Sequence, residues 1–152
     1  MKGQKTLHCL LLGTLLSVSS WSFAQQTLTT AELVQQPQYK SSWQKMIKGQ
    51  KNLPAWARKG AGTSAPPEWA EWEGKKYQVG NICKPHDCAS HFLLVAFSED
   101  KKRAWGVRIS VEDKPEALET PSQFATYQWL GQPDERMKNL LMAQLEKDPN
   151  WK

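Results

Sequence analysis

Two predicted strands and the turn between them occupy residues 76 to 97, which read KYQVGNICKPHDCASHFLLVAF. Residues 91–97 are almost continuously apolar, which is typical of a central strand covered on both faces. In residues 76–82, apolar and polar side chains alternate through Tyr77 and Val79. This alternation shifts by one position at Gly80-Asn81, which predicts a bulge. The stretch therefore predicts a hairpin with the hexapeptide CKPHDC at its tip.

The tip is a short ring that two cysteines, Cys83 and Cys88, can close. Pro85 fixes one backbone φ angle, and a disulfide at the neck would hold His86 away from the body of the protein. Closing so small a ring stabilises a fold by only about 2 kcal/mol. The pattern therefore favours a preformed recognition element, because a rigid loop loses little conformational freedom on binding.

Helices are predicted before this hairpin. Thr29 and Glu32 have the spacing of a capping box at the start of a short helix. One stripe of a second helix is predicted from the apolar positions Tyr39, Trp43, Met46 and Ile47. Residues 53–67 contain three prolines and two glycines, so we expect an irregular connection in which Trp56 fills the core.

Further strands are predicted at residues 68–72, 104–111 and 124–130, the second of them half-exposed. A closing helix over 133–147 begins with Pro133 in its first turn, and its buried stripe comprises Met137, Leu140, Leu141, Gln144 and Leu145. The predicted fold class is α+β, an antiparallel β-sheet meander flanked by N-terminal helices and a C-terminal helix.

Residues 1–24 have the pattern of a signal peptide. Lys2 and Lys5 precede a short apolar stretch, and Ser22-Phe23-Ala24 supplies the small residues that a signal peptidase reads. The apolar stretch is well short of the ~20 residues that a spanning helix needs. We therefore expect cleavage after Ala24, export to the periplasm, and a single domain over residues 25–152.

Cleavage would leave 128 of the 152 residues and, with Lys2 and Lys5 removed, lower the formal net charge from +5 to +3. The two remaining cysteines, in an oxidising compartment, predict one disulfide. No block of Lys or Arg and no second long apolar run follow Ala24. Neither a nucleic-acid partner nor a membrane partner is therefore expected.

A zinc site is the alternative for the loop, since Cys83, His86, Cys88 and His91 are four potential ligands. Structural zinc sites usually draw ligand pairs from separate elements, and export favours oxidation, so we expect neither a metal nor another cofactor. Cys-x4-Cys is also not the redox motif Cys-x-x-Cys. No catalytic set stands out, so an enzyme is not expected, and His91 is interpreted as structural.

Besides a recognition loop, the sequence is compatible with a glycan- or peptidoglycan-binding module, because seven tryptophans follow the predicted cleavage site. Aromatic faces stack on sugars, and Trp69 and Trp72 lie in a polar edge segment. Trp43 and Trp105 fall on apolar stripes and are expected in the core.

The hexapeptide Cys83–Cys88 resembles that of the inhibitor of vertebrate lysozyme (Ivy) family, as do the segments Leu53-Pro54-Ala55-Trp56, Lys59-Gly60 and Tyr77-Gln78-Val79. The resemblance implies a periplasmic inhibitor of C-type lysozyme that protects the peptidoglycan of a Gram-negative cell. It also implies that the two cysteines are bridged and that the loop histidine, by position His86, enters the lysozyme cleft. A homodimer is compatible with this family, although the sequence shows no self-complementary patch.

The inhibitory loop would then comprise Lys84, Pro85, His86 and Asp87. A lysozyme cleft contains one carboxyl group with a raised pKa and one that is ionised. An imidazole between them can donate a hydrogen bond to one or both, more strongly when protonated. Lys84 adds positive charge, and Asp87 is expected to orient the imidazole or to brace the turn. The expected mechanism is occlusion without a covalent step.

Overall fold

The protein is described by a computed structural model that covers residue 3 and residues 27–152. The helices are α1 (Thr30–Gln35), α2 (Pro37–Ile47), α3 (Ala55–Lys59) and α4 (Glu135–Leu145). The strands are β1 (Glu68–Trp72), β2 (Lys75–Cys83), β3 (His91–Ser98), β4 (Ala104–Val111) and β5 (Ala125–Leu130). Two short 3-10 helices, Pro115–Leu118 and Pro121–Phe124, lie between β4 and β5. Apart from residue 3, the predicted signal peptide lies outside the described residues, as does its cleavage site.

The five strands form one antiparallel sheet in which each strand pairs with the next along the chain. Helices α1 to α3 cover one face of the sheet, and α4 covers the other. This architecture confirms the predicted α+β class. Within residues 27–152, no helix is both long enough and apolar enough to cross a membrane.

Strand β3 is buried on both faces, as its continuous apolar sequence predicts. Leu93, Val95 and Phe97 pack against the N-terminal helices, whereas Leu94 and Ala96 pack in the core under α4. Strand β4 was expected to be half-exposed, and this is wrong for its first half. Ala104 and Gly106 are buried there because α2 crosses the strand, with the Met46 sulfur 3.2 Å from where a Cβ on Gly106 would lie.

The predicted bulge at Gly80-Asn81 is also wrong. Strands β2 and β3 pair without interruption from Tyr77–Ser98 to Cys83–Phe92. The apolar pattern shifts because the buried face changes: Val79 belongs to the core under α4, whereas Ile82 belongs to the core under α1 to α3. Gly80 permits α1 to approach, because a Cβ at this position would overlap the side chain of Thr30.

The predicted capping box of α1 is confirmed, and so is most of the predicted buried stripe of α2, in which Ile47 is only partly buried. Glu32 accepts a hydrogen bond from the Thr29 backbone at 2.8 Å, which forms the reciprocal capping box. Along α2 the side chains of Tyr39, Trp43 and Met46 are buried.

The short helix α3 lies inside the segment expected to be irregular. Five residues are too few for apolar periodicity to show, but Pro54 precedes the helix and Gly60 follows it in the left-handed conformation, φ 61°. Trp56 is partly buried against the core under these helices, as expected.

Helix α4 begins later than predicted. Asp134 is its N-cap and accepts a hydrogen bond from the Met137 N–H at 2.9 Å, so Pro133 lies before the helix and not in its first turn. A side-chain cap satisfies an N-terminal N–H that would otherwise have no partner, which explains where the helix starts. Four positions of the predicted stripe are buried, namely Met137, Leu140, Leu141 and Leu145, and Gln144 is partly buried.

Candidate partner-binding loop

The CKPHDC segment connects β2 to β3, so it is the tip of a hairpin as predicted. A disulfide joins Cys83 to Cys88, with their Cα atoms 4.8 Å apart. The zinc hypothesis is therefore wrong, since it required both sulfurs as thiolate ligands. Cys83 also exchanges two backbone hydrogen bonds with Thr63, at 2.9 and 3.1 Å, which fix the neck of the loop from its outer side.

The tip is a four-residue turn with Pro85 and His86 at its centre. The Asp87 N–H donates to the Lys84 carbonyl at 3.0 Å and closes the turn. His86 has φ 65°, and a proline followed by a residue with positive φ is the pattern of a type II turn. That position usually holds glycine or asparagine, because a Cβ there is sterically unfavourable. The chain therefore places a histidine where its backbone is strained.

Two further backbone hydrogen bonds hold the base of the loop. The Lys84 N–H donates to the His91 carbonyl at 2.9 Å, and the His91 N–H donates to the Asp87 carbonyl at 3.1 Å. Strained conformations persist where the surrounding structure determines them redundantly. Here the disulfide, the turn and the backbone hydrogen bonds at the loop base all fix the same six residues.

The charged side chains of the loop contact each other. Lys84 Nζ donates to Asp87 Oδ2 at 2.8 Å, and His91 Nε2 lies 3.7 Å from the same oxygen. The hydrogen bond from Lys84, with smaller effects of the nearby cationic groups, holds the pKa of Asp87 below its ordinary value of 3.8. Of the two roles expected for Asp87, these contacts fit bracing of the turn, through both its backbone and its carboxylate.

His86 and Pro85 are exposed at the tip, while Lys84 and Asp87 are partly buried. The imidazole is thus the group that the loop presents outward. His91 lies where it was expected, at the start of β3 beside the loop base, and is partly buried.

A groove beside the loop was missed by the sequence analysis. It has a volume of about 300 Å³ and is lined by residues 88–90, by the segment after β4 and by Trp151. Trp151 packs edge-on against Phe92, with ring centroids 5.7 Å apart. Leu118 is 84% exposed at the rim of this groove. No periodicity marks these residues, because the chain between β4 and β5 is made of short 3-10 helices.

The core positions expected for Trp43 and Trp105 are confirmed, whereas Trp72, grouped with Trp69 as an edge aromatic, packs against the core under α4. Trp43 and Trp105 are buried in the core, Trp72 is partly buried, and Trp69 is 58% exposed on the edge strand β1. Trp69 pairs with Gln78 of β2, five positions from Cys83 at the neck of the loop.

Comparisons with known proteins match most of the chain to one family. The family model described as inhibitor of vertebrate lysozyme (Ivy) matches residues 38–147. An uncharacterized protein of Yersinia pestis is 58% identical over 90% of this chain and 100% of that protein. The inhibitor of vertebrate lysozyme of Pseudomonas aeruginosa is 48% identical over 80% of each chain.

The inhibitor of vertebrate lysozyme of Escherichia coli K12 is more distant, at 34% identity over 65% of this chain and 62% of that protein. The matched family is one of inhibitor proteins and not of enzymes. The chain therefore belongs to the inhibitor of vertebrate lysozyme (Ivy) family.

Proposed function

We propose that this protein is a periplasmic inhibitor of C-type lysozyme that inserts the loop Lys84–Asp87 into the active-site cleft. The observation that carries the proposal is the geometry of His86, an exposed histidine at φ 65° on a turn closed by a disulfide. Strain of this kind is common where a side chain must point at a ligand. The named relatives in Pseudomonas aeruginosa and Escherichia coli support the same assignment.

The imidazole of His86 is the group suited to engage the cleft. A glycosidase cleft of this class holds a protonated carboxylic acid and a carboxylate. A ring nitrogen can donate to either, and two donors are available when the ring is protonated. Lys84 and Asp87 neutralise each other at 2.8 Å. Their pairing leaves His86 as the unpaired polar group of the tip.

The loop needs further contacts to form a stable complex. A standard interface buries about 800 Å² on each partner, which is more than a six-residue tip provides. The groove beside the loop supports the proposal, since Leu118 at its rim is apolar and 84% exposed. Isolated exposed leucines are ordinary, but this one lies beside the loop. We place Leu118 at the edge of the lysozyme-binding surface.

The test is titration of the mature protein and its variants into a C-type lysozyme lysis assay. His86→Gly removes the imidazole and suits φ 65°, so the turn is retained. We expect the wild type to inhibit and His86→Gly to inhibit at least tenfold less.

Gln132→Gly is the matched control. Gln132 is exposed with φ 53° and lies beyond β5, at the end of the sheet opposite the loop. This variant makes the same backbone change without touching the loop, so its inhibition should equal that of the wild type. Wild-type inhibition by folded His86→Gly would refute the loop mechanism, and a wild type that does not inhibit would refute the function.

A further inference from the structure

The groove beside the loop is continuous with the loop itself. Cys88 closes the disulfide ring and also lines the groove, together with Ala89 and Ser90. It lies two residues after His86, so their Cα atoms are at most about 7 Å apart. The Ser90 carbonyl accepts a hydrogen bond from the Val111 N–H at 2.8 Å, which ties this side of the groove to the end of β4. A protein that takes up the tip of the loop would therefore also reach the groove.

Much of the lining of this groove is apolar. Phe92, Val111, Ala117 and Trp151 all belong to the core under α4 or pack against it. Leu118 adds an exposed apolar side chain at the rim. The volume of about 300 Å³ is at the lower limit of small-molecule pockets. The groove therefore suits a single long side chain of a partner better than a larger ligand.

Carboxylates surround the apolar lining. Glu112, Asp113 and Asp148 line the groove with one cation, Lys114, whose Nζ pairs with Glu112. Neither Asp113 nor Asp148 takes part in an ion pair within residues 27–152. Asp148 Oδ1 accepts hydrogen bonds from the backbone and side-chain amides of Asn150, at 2.9 and 3.1 Å. These donors are neutral, so the groove keeps two uncompensated negative charges.

The chain around the groove is acidic as well. Residues 112–119 contain four carboxylates and one lysine, and the two carboxylates outside the lining, Glu116 and Glu119, are exposed. Lys147 and Lys152 of the C-terminal segment are exposed and do not line the groove. Apolar walls with anions at the edge match a side chain that has a long apolar stem and a cationic head.

We propose that this groove receives a lysine or arginine side chain of the lysozyme, beside the cleft that the loop enters, an inference that rests on the proposed inhibition. The peptidoglycan on which a lysozyme acts bears carboxylates, so cationic side chains beside the cleft favour its binding. An inhibitor that covers such a cation has to pair it or leave it desolvated. Asp113 and Asp148 would supply the pairing and would favour lysozymes with a basic residue at this place.

The test measures the Kd of the mature protein for a C-type lysozyme by calorimetry. Asp113→Asn/Asp148→Asn, the groove variant, removes both charges and keeps the size and an acceptor oxygen of each side chain. We expect its Kd to be at least fivefold higher than that of the wild type and less sensitive to salt. Asp113→Lys, which opposes a cation with a cation, should raise the Kd at least as much.

Glu71→Gln/Glu99→Gln is the matched control. It removes two negative charges from exposed positions on β1 and on the β3–β4 turn, at the end of the sheet away from the loop. Its Kd should stay within twofold of the wild-type value. Lysozyme with acetylated lysines identifies the cation: the groove variant and the wild type bind it equally if the cation is lysine, and still differ if it is arginine.

Two results would overturn the inference: a folded groove variant that binds as the wild type does, and a control that weakens binding as much as the groove variant. In both cases the loop mechanism survives, provided that the wild type inhibits and His86→Gly inhibits less. A wild type that neither binds nor inhibits lysozyme would refute the groove and the proposed function together. Melting temperatures of all variants confirm that they are folded.

Discussion

The backbone conformation of His86 favours glycine, whereas its proposed role requires an imidazole side chain. A φ of 65° costs a residue with a Cβ about 1 to 2 kcal/mol relative to ordinary regions of φ and ψ. Glycine avoids that cost but loses more conformational freedom on folding, so the two effects nearly cancel. A β-branched residue is a genuine outlier at positive φ.

Stability of the position 86 variants therefore depends on the Cβ. We expect His86→Gly to unfold within about 0.5 kcal/mol of the wild type and His86→Val to be destabilised by about 1 kcal/mol or more, as measured by urea unfolding. Equal stability of the Val and Gly variants would show that the turn relaxes and that no strain is held at this residue.

The lowered pKa of Asp87 sets the pH range over which its ion pair with Lys84 stabilises the protein. Its pKa is lowered by the hydrogen bond from Lys84, so the folded state binds that proton more weakly than the unfolded chain. The stabilisation is fully present above the ordinary pKa of 3.8 and is lost as the pH falls through the lower folded-state value.

Carbon-13 NMR titration of the Asp87 carboxyl checks this pH range. We expect a midpoint below 3.8, and Lys84→Met should move it back towards 3.8 because the donor is lost. A wild-type midpoint at or above 3.8 would mean that the ion pair does not persist in solution.

Among the elements, the β2–β3 hairpin illustrates what the sequence determines. The apolar run of β3, the two cysteines and Pro85 predict the hairpin and its closed tip, and these are observed. The positive φ of His86 could not be predicted, because proline at the second position is compatible with both type I and type II turns. The bulge predicted at Gly80 is wrong for a related reason, because the sequence alone does not show which helix packs over each face of a strand.

The disulfide constrains the tip of the hairpin more than it stabilises the hydrophobic core. Replacing both cysteines by serine opens a ring whose closure contributes about 2 kcal/mol. For a domain of this size that corresponds to a fall in melting temperature of roughly 6 to 10 °C.

We expect lysozyme inhibition by the folded Cys83→Ser/Cys88→Ser variant to fall at least tenfold, because the freed loop must be ordered on binding. Calorimetry and the lysis assay measure the two effects. Full inhibition by the open loop would show that preorganisation contributes nothing.

Gly80 sets the distance between α1 and the sheet. Thr30 is fully buried there, and its hydroxyl donates to the Ala65 carbonyl at 2.8 Å. A methyl group at position 80 would meet the Thr30 side chain, and overpacking of this kind typically costs 1 to 3 kcal/mol, so we expect about 2 kcal/mol for Gly80→Ala.

Urea unfolding tests this expectation, with Gly74→Ala as the control. A Cβ on Gly74 would have no other atom within 4 Å, but the residue has φ 71°, so any loss of stability in this variant reflects backbone strain alone. A Gly80→Ala variant as stable as the wild type would mean that α1 is not fixed against the strand.

For the whole molecule, the sheet brings together residues that lie far apart in the sequence. A groove at the end of the sheet away from the loop is lined by residues of β2, β3, β4, α4 and the turns between the strands, and the antiparallel strand order brings Lys75, Arg103 and Arg136 into this one lining. The loop was visible in the sequence because its six residues are contiguous. The groove was not, since its residues lie up to 62 positions apart, from Gly74 to Arg136.

The same sheet joins two hydrophobic cores into one unit. Alternate residues of β3 belong to different cores, Val95 under the N-terminal helices and Ala96 under α4. Losing either core would expose half of the central strand, so we expect residues 27–152 to unfold in a single transition.

Met46→Ala and Leu141→Ala remove one buried side chain from each core, and each should cost about 2 to 5 kcal/mol. Circular dichroism and tryptophan fluorescence should then report one shared, shifted midpoint for each variant. If Leu141→Ala separated the two signals into distinct midpoints, the cores would be independent folding units and the single-domain prediction would fail.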